Sequence, residues 1–169
     1  KLAASYLEPA PLSLRLNRTK FIAAGEPAVV TEGLVQSPYC EDSFVAREGL
    51  TASLRARIDA GFFFVQDLSS SLAVAAAAPK RGERVLDLCA APGGKSLAAA
   101  DLMRGEGRVI SADLSPQKVE RIAENVARTG FAACVTPEQS DAAVFRKDWE
   151  TAFDLVIADL PCSGLGVLG

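Results

Sequence analysis

Short apolar runs alternate with helical stretches along much of this chain, and this alternation constrains the fold more than any other feature. The three strongest runs are Val85–Leu88, Val109–Ala112 and Leu155–Ala158, and a weaker one lies near Ala133–Thr136. Strands of a parallel sheet are covered on both faces, so they are continuously apolar. Because such strands alternate here with helices, the sequence predicts a parallel sheet in an α/β layer fold.

The clearest helix is predicted between the second apolar run and the weaker fourth one. Ser115 is the expected N-cap, Pro116 takes the first helical position, and Gly130 stops the helix. The expected buried stripe has helical spacing and consists of Val119, Ile122, Ala123 and Val126. We expect this amphipathic helix to cover one face of the sheet.

The first part of the chain, residues 1–58, has a mixed pattern and is predicted to form a small α+β appendage. Leu12–Leu16 alternates apolar and polar residues, which indicates a half-buried strand, and turn-forming residues follow at Gly25–Pro27. Regular α/β patterning begins near Gly61. The predicted division is therefore an appendage at 1–58 and an α/β domain at 59–169.

Composition excludes several classes of site. The chain has no histidine, and its four cysteines include no C-x-x-C pair; they are Cys40, Cys89, Cys134 and Cys162. A zinc site, a disulfide framework and a Ser-His-Asp or Cys-His nucleophile are therefore not expected. No apolar run approaches the roughly 18–20 residues of a membrane span. We expect a cytoplasmic protein with reduced thiols, without a metal and without a membrane segment.

A glycine loop follows the first apolar run. Gly93 and Gly94 allow backbone N–H groups to approach a ligand closely, and a helix is predicted to start near Ser96, where its N-terminus favours electron-rich groups. The glycine spacing fits neither a Walker phosphate loop nor the dinucleotide fingerprint. Together with Asp113 at the end of the second apolar run, the loop indicates a nucleoside-containing cofactor, and the absence of a phosphate cradle favours S-adenosylmethionine over NAD.

Two acids follow the next strands. Asp113 ends the second run, where an acid can accept hydrogen bonds from ribose hydroxyls. Its alternative role is a cap for the helix after it. Asp141 follows the third strand and could reach the adenine edge of a ligand, or it could be a loop acid in solvent.

Four ordered motifs carry a family resemblance: Pro11–Asn17 (PLSLRLN), Gly61–Ser71 (GFFFVQDLSSS), Leu86–Ser96 (LDLCAAPGGKS) and Asp159–Gly166 (DLPCSGLG). Together they resemble the Sun-type RNA (cytosine-5) methyltransferases, and within them most closely the bacterial 16S ribosomal RNA branch. The resemblance implies an incomplete class I, Rossmann-like methyltransferase fold preceded by the remnant of an RNA-binding domain. It also implies S-adenosylmethionine as methyl donor and ribosomal RNA as partner, and we expect a monomer.

The resemblance also implies the roles of individual residues. The methionine end of the cofactor would be held by Cys89, Ala90, Ala91, Pro92, Gly93, Gly94 and Lys95. Asp113 would bind the ribose and Asp141 would lie near the adenine. Asp159 would line the site where donor and base meet. The candidate catalytic residues are Cys162, Asp159 and Lys95.

Cytosine methylation at C5 requires a thiolate that adds to C6, because C5 alone is a poor nucleophile. Residue chemistry alone names Cys162, which follows Asp159 by one short loop. The resemblance instead assigns the Pro-Cys thiol to product release and the attack to a second cysteine on the next strand. That cysteine is expected beyond Gly169. Because Lys1 is also an unusual first residue, we expect the chain to be a fragment. Such a fragment would bind cofactor without turning over.

Two other functions stay open from the sequence. The first is a class I methyltransferase that acts on tRNA, protein or a small molecule, although methylation at nitrogen or oxygen needs no thiol. The second is an RNA-binding assembly factor that keeps the fold without the chemistry. In every case the target base of an RNA would have to be unstacked to enter the site.

Overall fold

A computed structural model describes residues 11–27 and 33–160, and this part of the chain contains two four-stranded sheets. The first sheet has the order β2-β3-β1-β4 and is antiparallel throughout. Its strands are β1 (Leu12–Leu16), β2 (Leu34–Gln36), β3 (Ser43–Ala46) and β4 (Phe63–Val65). The predicted strand at Leu12–Leu16 is confirmed, and it lies between β3 and β4.

Two short helices accompany this sheet, α1 (Arg18–Ala24) and α2 (Ala52–Asp59). Phe21 of α1 is buried, and its ring meets the rings of Phe62 and Phe63 edge-on, with centroids 4.9 and 5.8 Å apart. The first core therefore draws on residues from both sides of position 58, because β4 completes a sheet that begins at Leu12.

The second sheet is parallel, with the order β7-β6-β5-β8, as the apolar runs predict. The strands are β5 (Arg84–Leu88), β6 (Arg108–Asp113), β7 (Val135–Gln139) and β8 (Leu155–Ala158). The connecting helices are α3 (Leu68–Ala77), α4 (Gly94–Leu102) and α5 (Pro116–Thr129), and a 3-10 turn spans Lys147–Trp149. Strands β6 and β7 follow on one side of β5, and β8 then pairs on its other side. This reversal of strand order leaves a crevice at the carboxyl ends of β5 and β8.

Helix α5 keeps its predicted bounds but not all of its predicted contacts. Ile122 and Val126 are buried and Thr129 joins them, whereas Ala123 is exposed. The expected position of Ala123 in the stripe is therefore wrong, because the buried face follows positions 122, 126 and 129 and turns 123 towards solvent. Ser115 stands at the N-cap, yet its hydroxyl donates to Gln117 Oε1 at 2.8 Å and caps no backbone N–H.

Hydrogen bonds join the two sheets into one framework. The Asn17 amide is buried and donates to the carbonyls of Gly61 and Thr129, both at 2.9 Å. The Asp101 carboxylate at the end of α4 accepts from the backbone N–H groups of Arg18 (3.2 Å) and Thr19 (2.8 Å), so it holds the first turn of α1. Burial raises the pKa of Asp101, and these N–H donors act in the opposite direction.

The described residues contain neither a helix that is long and apolar enough to cross a bilayer nor a metal-competent group of three or more acidic, cysteine or histidine side chains.

Candidate active site

A cavity of about 200 Å³ lies at the carboxyl ends of β5 and β8, where the sheet order reverses. Most of the predicted loop residues line it, together with a predicted acid from the end of β8. These are Cys89–Pro92, Gly94, Lys95 and Asp159. Gly93, Asp113 and Asp141 are not among its lining residues.

The loop between β5 and α4 is a tight, internally bonded turn. Cys89 and Gly93 adopt left-handed backbone conformations, with φ of +57° and +101°. The Ala90 N–H donates to the carbonyl of Ala112 on β6 at 2.8 Å, and the Gly93 N–H donates back to the Ala90 carbonyl at 2.7 Å. Helix α4 begins at Gly94, two residues before the predicted start at Ser96. The loop backbone is thereby held against the sheet while its outer side faces the cavity.

Gly93 has a structural role at the back of this loop. It is buried, and a Cβ at this position would meet Ile122 of α5 at 3.5 Å. Its φ of +101° is one that L side chains rarely adopt. Gly93 therefore shapes the loop, and it lies behind the wall of the cavity.

Lys95 and Asp159 face each other across the cavity. The Lys95 ammonium forms an ion pair with the Asp159 carboxylate and lies 3.4 Å from the Ser70 hydroxyl. The Lys95 side chain is 19% exposed and that of Asp159 64%, so the pair extends from the wall of the cavity to its solvent side. The two predicted catalytic side chains of the described region are thus in direct contact.

Asp113 lies beneath the glycine loop. Its Oδ2 accepts from the Ala91 N–H and its Oδ1 from the Ser115 N–H, both at 3.3 Å, and the Lys118 ammonium is 3.8 Å from Oδ1. The side chain is 5% exposed. Asp113 therefore joins the tip of β6 to the glycine loop and also accepts at the start of α5, as the alternative capping role expects. Its contact with a ribose stays a prediction.

Asp141 is exposed and belongs to its own turn. Its Oδ1 accepts from the Ala143 N–H at 2.9 Å, and its carbonyl accepts from Val144. The Ser140 N–H donates to the Asp113 carbonyl at 3.0 Å, which places the end of β7 beside the end of β6. The two acids thus follow neighbouring strand ends, although Asp141 contributes nothing to the cavity wall.

Five further residues of the cavity wall were not predicted as site residues: Val65, Gln66, Asp67, Ser70 and Asp87. The first four lie between β4 and the first turn of α3, inside the motif Gly61–Ser71. The sequence signal that could have identified them is a group of polar residues directly after an aromatic strand, at the start of a helix. Asp67 occupies the N-cap of α3, but its carboxylate makes no capping hydrogen bond. Asp67 is therefore a wall residue of the cavity and does not cap α3 with its side chain.

Asp87 is the most deeply buried acid of the wall. It is 1% exposed and accepts from the Ser96 hydroxyl at 2.6 Å, and Ser96 in turn contacts the Ser111 hydroxyl at 2.7 Å. Burial raises the pKa of Asp87 to about 6, while the Ser96 hydrogen bond and the charge of Lys95 act to lower it. This carboxyl group therefore changes its protonation state near pH 6.

The raised pKa of Asp87 predicts a pH-dependent stability. The folded state holds this proton more tightly than the unfolded chain, so the contribution is fully present below pH 3.8 and is lost as pH rises to about 6. Asp87→Asn removes this titration, and the stability difference between variant and wild type should grow by about 2 kcal/mol, in favour of the variant, from pH 4 to pH 7. Urea denaturation across this range measures the difference. Glu120→Gln on the exposed side of α5 is the control and should give a flat difference, whereas a flat difference for Asp87→Asn would contradict the prediction.

Three cysteines lie in the described region, and none of them forms a disulfide there. Cys134 is buried in the core, whereas Cys40 and Cys89 are only half-buried. Cys162, the thiol predicted to act on the base, lies outside the described residues. Its position relative to Asp159 stays a prediction.

The family described as 16S rRNA methyltransferase RsmB/F matches residues 74–169 of the chain. A probable ribosomal RNA small subunit methyltransferase B of Bacillus subtilis is 35% identical over 175 residues, which cover 99% of this chain and 38% of that protein. The ribosomal RNA small subunit methyltransferase B of Shigella flexneri is 34% identical over 163 residues, covering 94% of this chain and 37% of that protein.

Two solved structures share the fold over nearly the whole chain. The protein PH0851 superposes with a TM-score of 0.79 at 28% identity and covers 98% of this chain and 38% of its own. A methyltransferase homologue from Pyrococcus horikoshii gives a TM-score of 0.78 at 26% identity, with 98% and 55% covered. The predicted Rossmann-like methyltransferase fold is thereby confirmed.

The chain spans little more than a third of the length of the curated relatives described above. The residues that match the family include the glycine loop and Asp159, which follows β8. The resemblance that the four sequence motifs carry is confirmed, and the chain belongs to the 16S rRNA methyltransferase RsmB/F family.

Proposed function

We propose that this protein transfers a methyl group from S-adenosylmethionine to C5 of a cytosine in ribosomal RNA, and that the cavity beside the glycine loop binds the methionine end of that cofactor. The observation that carries the proposal is the cavity itself. It lies at the carboxyl ends of β5 and β8, most of the loop Cys89–Lys95 lines it, and both acidic and basic side chains take part in its wall. In an open α/β sheet this crevice is where ligands bind.

The residues present fit an amino-acid ligand. The backbone of the glycine loop and the start of α4 supply N–H donors, and Asp87 and Asp159 supply negative charge for an ammonium or sulfonium group. When bound, the cofactor supplies the electrophilic methyl group. We assign the ribose to Asp113 and the adenine edge to Asp141, the two acids that follow β6 and β7.

Asp159 is proposed to bind the target base. A carboxylate at this position can accept a hydrogen bond from the cytosine amino group, and its protonated form can donate to N3 as charge develops. The ion pair with Lys95 orients the Asp159 carboxylate before a base arrives. Lys95 thus acts on the reaction by positioning Asp159 at the solvent side of the cavity.

The thiol chemistry is assigned by exclusion within the site. Burial raises the pKa of Cys89, and the negative charge of Asp113 raises it further, so this thiol stays protonated and is a poor nucleophile. We propose that Cys162 releases the product, and that the cysteine which adds to C6 belongs to the rest of a longer protein. Direct attack by Cys162 is the alternative assignment. RNA is the proposed partner of a monomeric, cytoplasmic protein, as expected for a ribosomal RNA methyltransferase.

Bisulfite sequencing of ribosomal RNA tests the proposed function directly. Cells that lack the gene should lose one methylated cytosine, and the intact gene should restore it. In parallel, titration calorimetry of the 169-residue chain with S-adenosylhomocysteine should show binding that Cys162→Ala leaves nearly unchanged, since that thiol acts on the base. An unchanged methylation pattern in the deletion cells would refute RNA cytosine methylation as the function.

A further inference from the structure

Gln66 carries a buried hydrogen-bond donor that the fold does not use. The side chain is 6% exposed, and its Oε1 accepts from the Ser71 hydroxyl at 3.0 Å. Its Nε2 is buried and has no acceptor among the described residues. Because buried polar groups are nearly always paired, an unpaired amide donor in a well-packed region requires an explanation. With Oε1 bonded to Ser71, the Nε2 end of the amide carries the free donors.

The amide lies at the wall of the candidate cavity, against the glycine loop. Gln66 and Gly94 both line the cavity, and a Cβ on Gly94 would come within 3.3 Å of Gln66 Nε2. A side chain at position 94 would therefore press on the amide, which lies close to the backbone at the start of α4. The unused donor and the loop that is proposed to hold the cofactor share one wall.

Two helices begin beside Gln66, and neither is capped by the side chain of its own N-cap residue. Helix α3 starts after Asp67, whose carboxylate makes no capping bond, and α4 starts after Gly93, which has no side chain to offer. The first N–H groups of a helix have no partner within it, and they carry partial positive charge. Two such ends, the Gln66 amide and the Lys95 ammonium together form a donor set for a small anion.

The acids in the same wall restrict which anion fits. Asp67, Asp87 and Asp159 also line the cavity, and they oppose a ligand that is negatively charged overall. A zwitterion matches both sets, with its ammonium towards the acids and its carboxylate towards the amide and the helix ends. The methionine end of the proposed cofactor has this charge pattern.

We propose that Gln66 donates to the α-carboxylate of the bound cofactor, in a subsite completed by the N-termini of α3 and α4. This assignment rests on the proposed function and adds to it a residue that selects for the carboxylate. Ser71 acts as a positioning residue, since it sets the orientation of the Gln66 amide.

Calorimetry with two ligands tests the subsite. S-adenosylmethionine and its decarboxylated analogue share the nucleoside, the sulfonium and the ammonium, and they differ in the carboxylate. Gln66→Met, which keeps the length and removes the donor, should weaken binding of S-adenosylmethionine by about 10-fold, as expected for a hydrogen bond to a charged group. It should change binding of the decarboxylated analogue by less than about 2-fold. Gln66→Glu should weaken binding of S-adenosylmethionine further, by repulsion of the carboxylate.

The matched control is Gln36→Met, at an exposed position on β2, which should alter neither affinity. Thermal melts of each variant show whether it is folded. If a folded Gln66→Met variant lost affinity for both ligands by the same factor, the assignment would be overturned and Gln66 would be a structural residue of the wall. Failure of the wild-type chain to bind either ligand would instead overturn the proposed cofactor site, and the inference with it.

Discussion

Replacing Gly61 with alanine is expected to lower the free energy of unfolding by about 2–5 kcal/mol, the sum of left-handed backbone strain and overpacking. Gly61 has a φ of +83°, and a Cβ added there would come within 2.1 Å of the Arg128 carbonyl oxygen and 2.9 Å of its carbon. Both atoms belong to the backbone of α5, so they cannot move aside as the end of a flexible side chain can. Urea denaturation of the variant and the wild type measures the loss.

Gly82→Ala separates the two contributions. Gly82 has nearly the same conformation, with a φ of +86°, but a Cβ there meets nothing within 4 Å. The control should therefore lose only the conformational part, about 1–2 kcal/mol. A loss from Gly61→Ala no larger than that from Gly82→Ala would contradict the close contact with α5.

The large effect is expected because Gly61 lies where the two sheets meet. Its carbonyl and that of Thr129 share the Asn17 amide, and the guanidinium of Arg128 donates to the carbonyls of Ile58 and Phe63. A shift of the backbone at Gly61 would disturb these buried bonds together. Residue 61 therefore sets how closely the first sheet approaches α5.

Local patterns predicted the parallel sheet well because its strands are buried on both faces. Val85 and Val109 are fully buried, and a run of such residues has few alternatives to a central strand. The strand at 135–139 gave a weaker signal, since Glu138 and Gln139 extend it beyond the apolar residues. The C-terminal half of this strand is held by its pairing with β6. The strand preferences of single residues carry no information about such pairing.

Contacts between distant segments account for what the sequence did not show. Polar residues of the wall such as Gln66 and Asp87 are 21 positions apart, and only the packing of α3 beside α4 brings them to one cavity. The aromatic strand at 63–65 likewise falls within the α/β domain predicted at 59–169, yet it pairs with β1 of the first sheet. Such pairings depend on which distant segments the fold brings together, so the hydrophobic periodicity within one segment cannot predict them.

Asp113→Ala is expected to weaken binding of S-adenosylhomocysteine by about 100-fold or more, since each hydrogen bond to a charged acceptor contributes about 1.5–3 kcal/mol. The proposed partners are the two ribose hydroxyls. A carboxylate has about four lone-pair sites, and the N–H groups of Ala91 and Ser115 occupy two of them in this structure. Asp113 can thus hold the loop and bind a ribose at the same time. Calorimetry measures the affinity, with Glu124→Ala on the exposed side of α5 as a charge-matched control.

A second ligand, the 2′-deoxy analogue of S-adenosylhomocysteine, distinguishes a role of Asp113 in the loop from a role in ribose binding. If Asp113 binds the ribose, the wild-type chain prefers the hydroxylated ligand and Asp113→Ala binds both ligands with similar, weak affinity. If the carboxylate only positions the Ala91 N–H, the variant weakens both ligands by the same factor and the preference survives. Asp113→Asn sharpens the distinction, because an amide oxygen can still accept from Ala91 but carries no charge for a hydroxyl. A preserved preference in both variants would move the ribose contact to another residue and leave Asp113 as a support of the glycine loop.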